Sequence, residues 1–136
     1  MLWIIRKKRL SVTWVVLENN QICGYFSLST ASISIEHLTL DERRGYPNYP
    51  NYPAILIGKF AVDDSHRKQG VGKWMMKRIV TIVMNIGKLT GCTHLIVESK
   101  EESISYYEKE LKFTPTSFSN SGHRLMSRKI EVNGEL

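Results

Sequence analysis

The sequence predicts a single α/β domain whose elements run in the order ββ, loop, βαβαβ. Three observations carry this reading. Residues 54–62 (AILIGKFAV) are apolar at nearly every position, the pattern of a strand buried on both faces. Val71, Met75, Ile79, Ile82, Ile86 and Leu89 recur at spacings of three and four, the period of a helix with one buried stripe. The 136 residues, 42% of them hydrophobic, show no shift in composition that would divide the chain, so residues 1–136 are read as one domain.

In order along the chain, residues 12–17 (VTWVVL) and 22–29 (ICGYFSLS) are β-rich runs joined by the turn chemistry of ENNQ, which makes a hairpin. Residues 36–53 break into charged and proline-punctuated sequence that ends in YPNYPNYP. Each proline pushes its preceding residue towards extended or turn geometry, so this is a long loop. Within the strand at 54–62, alternation expects Leu56, Phe60 and Val62 on one side and Ile55, Ile57 and Ala61 on the other. The helix that starts at Val71 meets Gly91 where a C-terminal glycine is expected. Residues 94–99 read as a strand and residues 123–130 as the last one. Between them EESISYYEKEL is a short helix with acidic residues at the positive end of its dipole.

Nineteen Lys and Arg against thirteen Asp and Glu leave a formal charge of +6, which favours a phosphate-bearing partner. Cys23 and Cys92 lie far apart with no CxxC and no nearby histidine pair. Neither a disulfide framework nor a metal site is indicated, and both are expected as small core residues in a reducing cytoplasm. The basic cluster at the start follows the first apolar residues instead of preceding them, unlike a secretory leader. No stretch approaches the roughly 20 apolar residues of a membrane-spanning helix.

The segment HRKQGVGKWMM joins the apolar strand to the long helix. A strand that ends in a turn and feeds a helix aims the helix's unpaired N–H groups at whatever sits above the turn, and phosphate suits that position. Gly70 and Gly72 permit close backbone approach, while Arg67, Lys68 and Lys73 add positive charge. Glycines chosen only for tight strand–helix packing are the other reading of this local pattern. Walker A would require glycine at Arg67 and a hydroxyl at Trp74. The dinucleotide pattern GxGxxG would require glycine at Met75. Neither is met.

Arg67-x-x-Gly70-x-Gly72 after KFAVDDSH resembles the Gln/Arg-x-x-Gly-x-Gly/Ala motif with which GNAT acyltransferases bind the pyrophosphate of acetyl-CoA. SISYYEKELKF, further on, is similar to the family's later helix, A-x-x-FYxKxGF, and the two motifs together span roughly residues 12–129. Within the family, GYFSLS, the proline-rich loop and PAILIGKFAVDDSHRKQGVGKWMM resemble the toxin-type acetyltransferases of toxin–antitoxin systems, which acetylate the amino group of aminoacyl-tRNA.

The resemblance implies a GNAT fold, α/β (α+β), with a mixed central sheet, a splayed strand pair and flanking helices. Only eleven residues precede Val12, so the N-terminal strand and helices of the family are expected to be missing or shortened. It also implies that backbone groups of Phe60, Ala61 and Val62 pair with the pantetheine arm and that one of their amides meets the thioester carbonyl. Such a donor is worth roughly 2.7–4 kcal/mol. The amides of Arg67, Lys68, Gln69, Gly70, Val71, Gly72 and Lys73 would hold the pyrophosphate, and Ser105 stands where an asparagine often contacts CoA.

Tyr107 aligns with the tyrosine that assists departure of the CoA thiolate. A tyrosine near pKa 10 facing a thiol near 8.5 makes full proton transfer uphill by about 2 kcal/mol, so the role is a hydrogen bond. Tyr106 is read as aromatic core. No general base stands out: Glu36, Asp63 and His66 are read as loop residues, His37, His94 and His123 have no catalytic spacing, and a water or backbone carbonyl suffices for an amine of lowered pKa. Lys112 occupies the place of the family's glycine, with one extra residue in KELKF.

Arg6, Lys7, Lys8 and Arg9, together with Lys68, Lys73, Lys77 and Arg78, form a candidate RNA-facing surface beside the CoA entrance. The tract 46–53 either shapes an acceptor pocket or caps the sheet. Acetyl-CoA as cosubstrate, an amine acceptor in the form of aminoacyl-tRNA, an antitoxin protein and a homodimer complete the expectations. A small-molecule or protein amine as acceptor is the alternative, as is a shortened, non-catalytic CoA-binding module.

Overall fold

Left-handed residues close the two turns that join the first three strands. The computed structural model describes residues 2–130. β1 (Leu2–Lys7) and β2 (Ser11–Glu18) are joined through Lys8 (φ 53°) and Arg9 (φ 58°). β2 turns into β3 (Gln21–Ser34) through Asn19 and Asn20, with φ of 51° and 61°, and Glu18 pairs with Gln21 across a two-residue loop. Two positive φ values fit the twist of a hairpin, and asparagine tolerates them better than most residues. After the loop come β4 (Asn51–Val62), α1 (Val71–Leu89), β5 (His94–Lys100), α2 (Ile104–Lys109), β6 (Thr114–Asn120) and β7 (His123–Lys129). The seven described strands form one mixed sheet, ordered β1-β2-β3-β4-β5-β7-β6, in which only the β4–β5 pair is parallel.

The mixed sheet and flanking helices are as expected, and four local features differ from the sequence reading. The opening residues form a strand, β1, with the short turn Lys8, Arg9 and Leu10 leading into β2. β6 was missed because TPTSFSN is polar and carries a proline, the composition of an edge strand. β4 begins at Asn51, so Tyr52 and Pro53 belong to the sheet and pair with Ile33 and Ser32. Finally, α1 does not end on a left-handed glycine. Thr90 closes it in an extended conformation (φ −155°), and Gly91 lies beyond, packed towards Pro53.

Two apolar clusters sandwich the sheet. On one face Met75, Met76, Ile79 and Val83 of α1, with Tyr107 of α2, cover Phe26, Leu28, Ile55, Ile57, Leu95, Val97 and Met126. On the other, Ile33, Tyr52, Ala54, Ile96 and Leu125 lie under Leu38 and Tyr46 of the long loop. The buried strand at 54–62 does not alternate as expected. Ser27 pairs with Lys59 but Leu28 with Ile57, leaving Gly58 as the extra residue of a β-bulge. Beyond it the side chains change faces, so Phe60 and Val62 join Ile55 and Ile57 under the helices, while Leu56 faces the opposite cluster.

The tyrosine–proline tract caps that second face. Tyr52 donates its hydroxyl to the Pro47 carbonyl (2.6 Å) and stacks on His94, and Tyr46 meets both rings. His94 is fully buried, its Nδ1 is 2.7 Å from the Thr93 hydroxyl, and burial pushes its pKa down to about 4. An unfolded histidine titrates near 6.5, so the unfolded chain binds this proton first and the fold loses stability as pH falls from about 6.5 towards 4. Melting measured between pH 7.5 and 5 is expected to show this loss in the wild type and a shallower one in His94→Gln.

Candidate active site

β4 and β5 pair from Ala54–His94 to Ile57–Val97, and there the ladder stops although both strands continue. Beyond that point β4 remains bonded to β3 alone, with Phe26 opposite Phe60 and Gly24 opposite Val62. A cleft of about 1230 Å³ opens between the two strands. One wall is Gly58, Phe60, Ala61 and Val62; the other is Glu98, Ser99 and Lys100 of β5. Asp63 donates its N–H back to Cys23 (2.7 Å), so by alternation Ala61 also turns its peptide groups towards β3, while those of Phe60 and Val62 face the gap.

The far end of the cleft is the start of α1. Lys68 (φ 66°) and Gly70 (φ 81°) are left-handed, which curls the loop so that successive N–H groups converge, and Gly70 is the N-cap. The first bond of the helix runs from the Trp74 N–H to the Gly70 carbonyl (3.0 Å), and no side chain caps this end. The N–H groups of Val71, Gly72 and Lys73 therefore precede the helical ladder, as a helix N-terminus dictates. Arg67, Lys68, Gly70, Val71, Gly72 and Lys73 all line the cleft. Gln69 lies outside the lining and donates its side-chain amide to the Ser65 carbonyl (3.3 Å).

The charges around this loop are partly paired. Arg67 meets Asp64 at 2.8 Å, and Lys73 of α1 meets Glu110 at the end of α2, also at 2.8 Å. The hydrogen bond between Lys73 and Glu110 holds the ammonium pKa above and the carboxyl below their ordinary values. Arg6, Lys8 and Arg9 lie elsewhere, at the end of edge strand β1, with β2 and β3 between them and β4. The basic surface expected from sequence is thus two separate groups.

α2 brings two tyrosines to the cleft in unequal settings. Tyr107 is buried among Phe60 (ring centroids 6.1 Å), Tyr106 (5.9 Å) and Phe113 (5.7 Å), and burial pushes its pKa up to about 12. Tyr106, expected to be core, is instead half-exposed, and its hydroxyl stands so close to Gly72 that a Cβ there would overlap it. A side chain at Gly72 would displace the Tyr106 ring tip from this position. Ser105 is exposed and outside the lining, where Glu102 and Ser103 stand.

Sequence reasoning missed the β5 wall, Tyr106, Glu110 and His123, which also line the cleft. Continuation of the parallel strand past Val97 was the one available signal for the β5 residues. A second cavity of about 390 Å³, bounded by Glu42, Val80, Thr114 and Ile130, lies away from the gap.

The acetyltransferase (GNAT) family matches residues 1–113. Among solved structures the chain is similar to a tyrosine-to-phenylalanine mutant of KacT, with 21% identity and a TM-score of 0.75 over 90% of this chain and 72% of that one. It is similar to AtaT complexed with acetyl-methionyl-tRNAfMet at 22% identity and a TM-score of 0.74, over 86% and 71% of the two chains. AtaTR bound with AcCoA aligns at 21% identity and a TM-score of 0.69, over 90% and 72%. At these identities the likeness is one of fold.

The end of α2 departs from glycine chemistry. Phe113 donates its N–H to the Tyr107 carbonyl (3.0 Å), and Lys112 before it is left-handed at φ 66°. A side chain in that region costs roughly 1–2 kcal/mol, offset in part by glycine's greater unfolded entropy. Lys112→Gly is expected to raise stability by about 1 kcal/mol in urea unfolding, with an unchanged m-value.

Proposed function

The chain belongs to the GNAT family of acetyl-CoA-dependent N-acetyltransferases, and from that premise we propose that it transfers the acetyl group to the amino group of an aminoacyl-tRNA. The observation that carries the proposal is the interrupted β4–β5 ladder, opening onto the uncapped start of α1. An extended cosubstrate with an anionic end suits such a slot. The amides of Arg67, Lys68, Gly70, Val71, Gly72 and Lys73 would hold the pyrophosphate, where helix N-termini favour negative charge. The gap-facing peptide groups of Phe60 and Val62 would bond the pantetheine arm as an added strand.

Acetyl-CoA supplies the activated carbonyl; the chain orients it and stabilises charge. The acceptor nitrogen attacks, its bond to the acetyl carbon forms, and the carbon–sulfur bond breaks. A gap-facing amide donates to the carbonyl oxygen as that oxygen gains charge. Tyr107, with its pKa pushed up to about 12, stays protonated and donates a hydrogen bond to the departing sulfur. Complete transfer to a thiolate near 8.5 would be uphill by about 5 kcal/mol at 1.36 kcal/mol per pKa unit, so the thiolate leaves hydrogen-bonded and is protonated by solvent. Water takes the proton released by the amine.

The acceptor assignment rests on the formal charge of +6 and on the fold shared with AtaT, whose complex holds acetyl-methionyl-tRNAfMet. A cytoplasmic location and an antitoxin partner belong to the same proposal, as AtaT has also been seen with the C-terminus of the antitoxin AtaR. No helix among the described residues is long and apolar enough to cross a membrane.

Acetylation of charged tRNA, free amino acids and polyamines, compared in one assay, tests the acceptor. Charged tRNA is expected to be preferred, with its KM rising roughly tenfold or more between 50 and 200 mM salt for about three phosphate contacts. A salt-insensitive preference for a small amine would overturn the tRNA assignment. Tyr107→Phe should lower kcat by roughly 10- to 100-fold with KM for acetyl-CoA little changed, the loss of a hydrogen bond to a charged group worth about 1.5–3 kcal/mol.

A further inference from the structure

Cys23 is buried, with its thiol 3.8 Å from the Glu18 carboxylate, and no step of acetyl transfer uses it. It sits where β3 bulges: Val16 pairs with Gly24 but Leu17 with Ile22, so Cys23 is the extra residue. Bulges re-aim side chains and gather beside functional sites. This one turns Cys23 inward while Ile22 stays exposed, and the Cys23 carbonyl accepts the Asp63 N–H. The result is a meeting that sequence spacing hides. Glu18, Cys23 and His66 each bring a ligand atom within 4.8 Å of the other two.

The His66 ring is already oriented. Its Nδ1 lies 3.3 Å from Asp63 Oδ2 and 3.1 Å from Ser65 Oγ, and Asp63 is itself held by the Ser65 N–H (3.1 Å). A carboxylate behind a histidine is the usual support of a metal-binding imidazole. Tetrahedral bonds of zinc place ligand atoms roughly 3.3–3.8 Å apart, so the thiol–carboxylate separation already fits, and the His66 nitrogen, within 4.8 Å of both, would close by about 1.5 Å at most.

We propose that Cys23, His66 and Glu18 form a binding site for a borderline-soft divalent cation of the zinc class, with water in the fourth position. Thiolate plus imidazole plus carboxylate is a donor set that selects zinc over magnesium or calcium. Binding replaces the thiol proton: the sulfur–metal bond forms, the S–H bond breaks, and the proton leaves to solvent. Before that, burial and the neighbouring Glu18 and Asp63 carboxylates keep the thiol protonated, and the cation neutralises the same carboxylates. His66 immediately precedes Arg67, so an occupied site ties the β2–β3 hairpin to the loop that leads into α1. It acts as a clamp on the position of that loop.

Cobalt is the probe, because a cobalt–thiolate bond has its own charge-transfer absorption and the readout does not pass through acetyl transfer. Titration of the chelator-treated full chain with Co²⁺ is expected to give one equivalent per chain, a near-ultraviolet thiolate band, four-coordinate d–d bands, and displacement by Zn²⁺. Cys23→Ser should abolish the thiolate band. Asp63→Asn should keep the band but weaken binding roughly 10- to 100-fold. Glu18→Gln, at an exposed position that leaves the core untouched, should weaken it about tenfold or more. A folded wild-type chain that binds no cobalt, or binds it without the thiolate band, overturns the site. Unchanged affinity in Glu18→Gln removes the carboxylate from it.

Discussion

The interrupted pairing of β4 with β5 is the constraint on which the rest of the molecule turns. A sheet strand with a free edge in its middle is costly unless solvent or a ligand satisfies the exposed peptide groups. Here the edge is kept extended because β3 bonds β4 along its whole length, from Ser34–Asn51 to Gly24–Val62. Only the far side opens, between Ile57 and Val62, where β5 leaves. The bulge at Gly58 sits where the two strands part. It swings Phe60 and Val62 under the helices, so the widening gap is roofed by α1 and α2 instead of by solvent alone.

Roof and slot are coupled through one glycine. Gly72 lies on the first turn of α1, and the Tyr106 hydroxyl occupies the space a side chain would need. Tyr107, the next residue of α2, lies against Phe60, whose peptide groups face the gap. The two tyrosines divide the work by burial. Tyr107 is fixed by three aromatic neighbours and keeps its proton at any physiological pH, whereas the Tyr106 hydroxyl reaches Gly72 at the start of α1.

The long apolar patterns were legible: the helix stripe of α1, the buried strand, and the glycine-rich turn between them. What stayed hidden depends on pairing between distant segments. Gly58 looks like any strand glycine until Ser27 and Leu28 are laid beside it. Alternation by parity then misplaces Phe60 and Val62, because one bulged residue inverts every face after it. β6 was lost for a related reason: an edge strand need not be apolar on both faces, so TPTSFSN carries a weak signal, whereas the apolar run LWII that opens β1 is too short to be told from other buried segments by pattern alone. Of the candidate site, the loop Arg67 to Lys73 was visible as a motif. The Glu98–Lys100 wall and the juxtaposition of Cys23 with His66 exist only once strands far apart in sequence are neighbours.

Charge at the mouth of the cleft follows from the same geometry. Arg67 and Lys73 line the cleft beside the start of α1, and each is held by a carboxylate, Asp64 and Glu110, in an exposed pair. Exposed pairs contribute little in water, so their partners are easily exchanged. In the proposed function a diphosphate would carry more charge than either carboxylate and would also meet the N–H groups at the start of α1, which no side chain caps. Under the proposed function the pairs would hold two long side chains at the rim, with no side chain capping the backbone donors of α1. Lys73 carries a further consequence, because its carboxylate belongs to α2. The Lys73–Glu110 pair thus ties the start of α1 to the end of the helix that carries Tyr107.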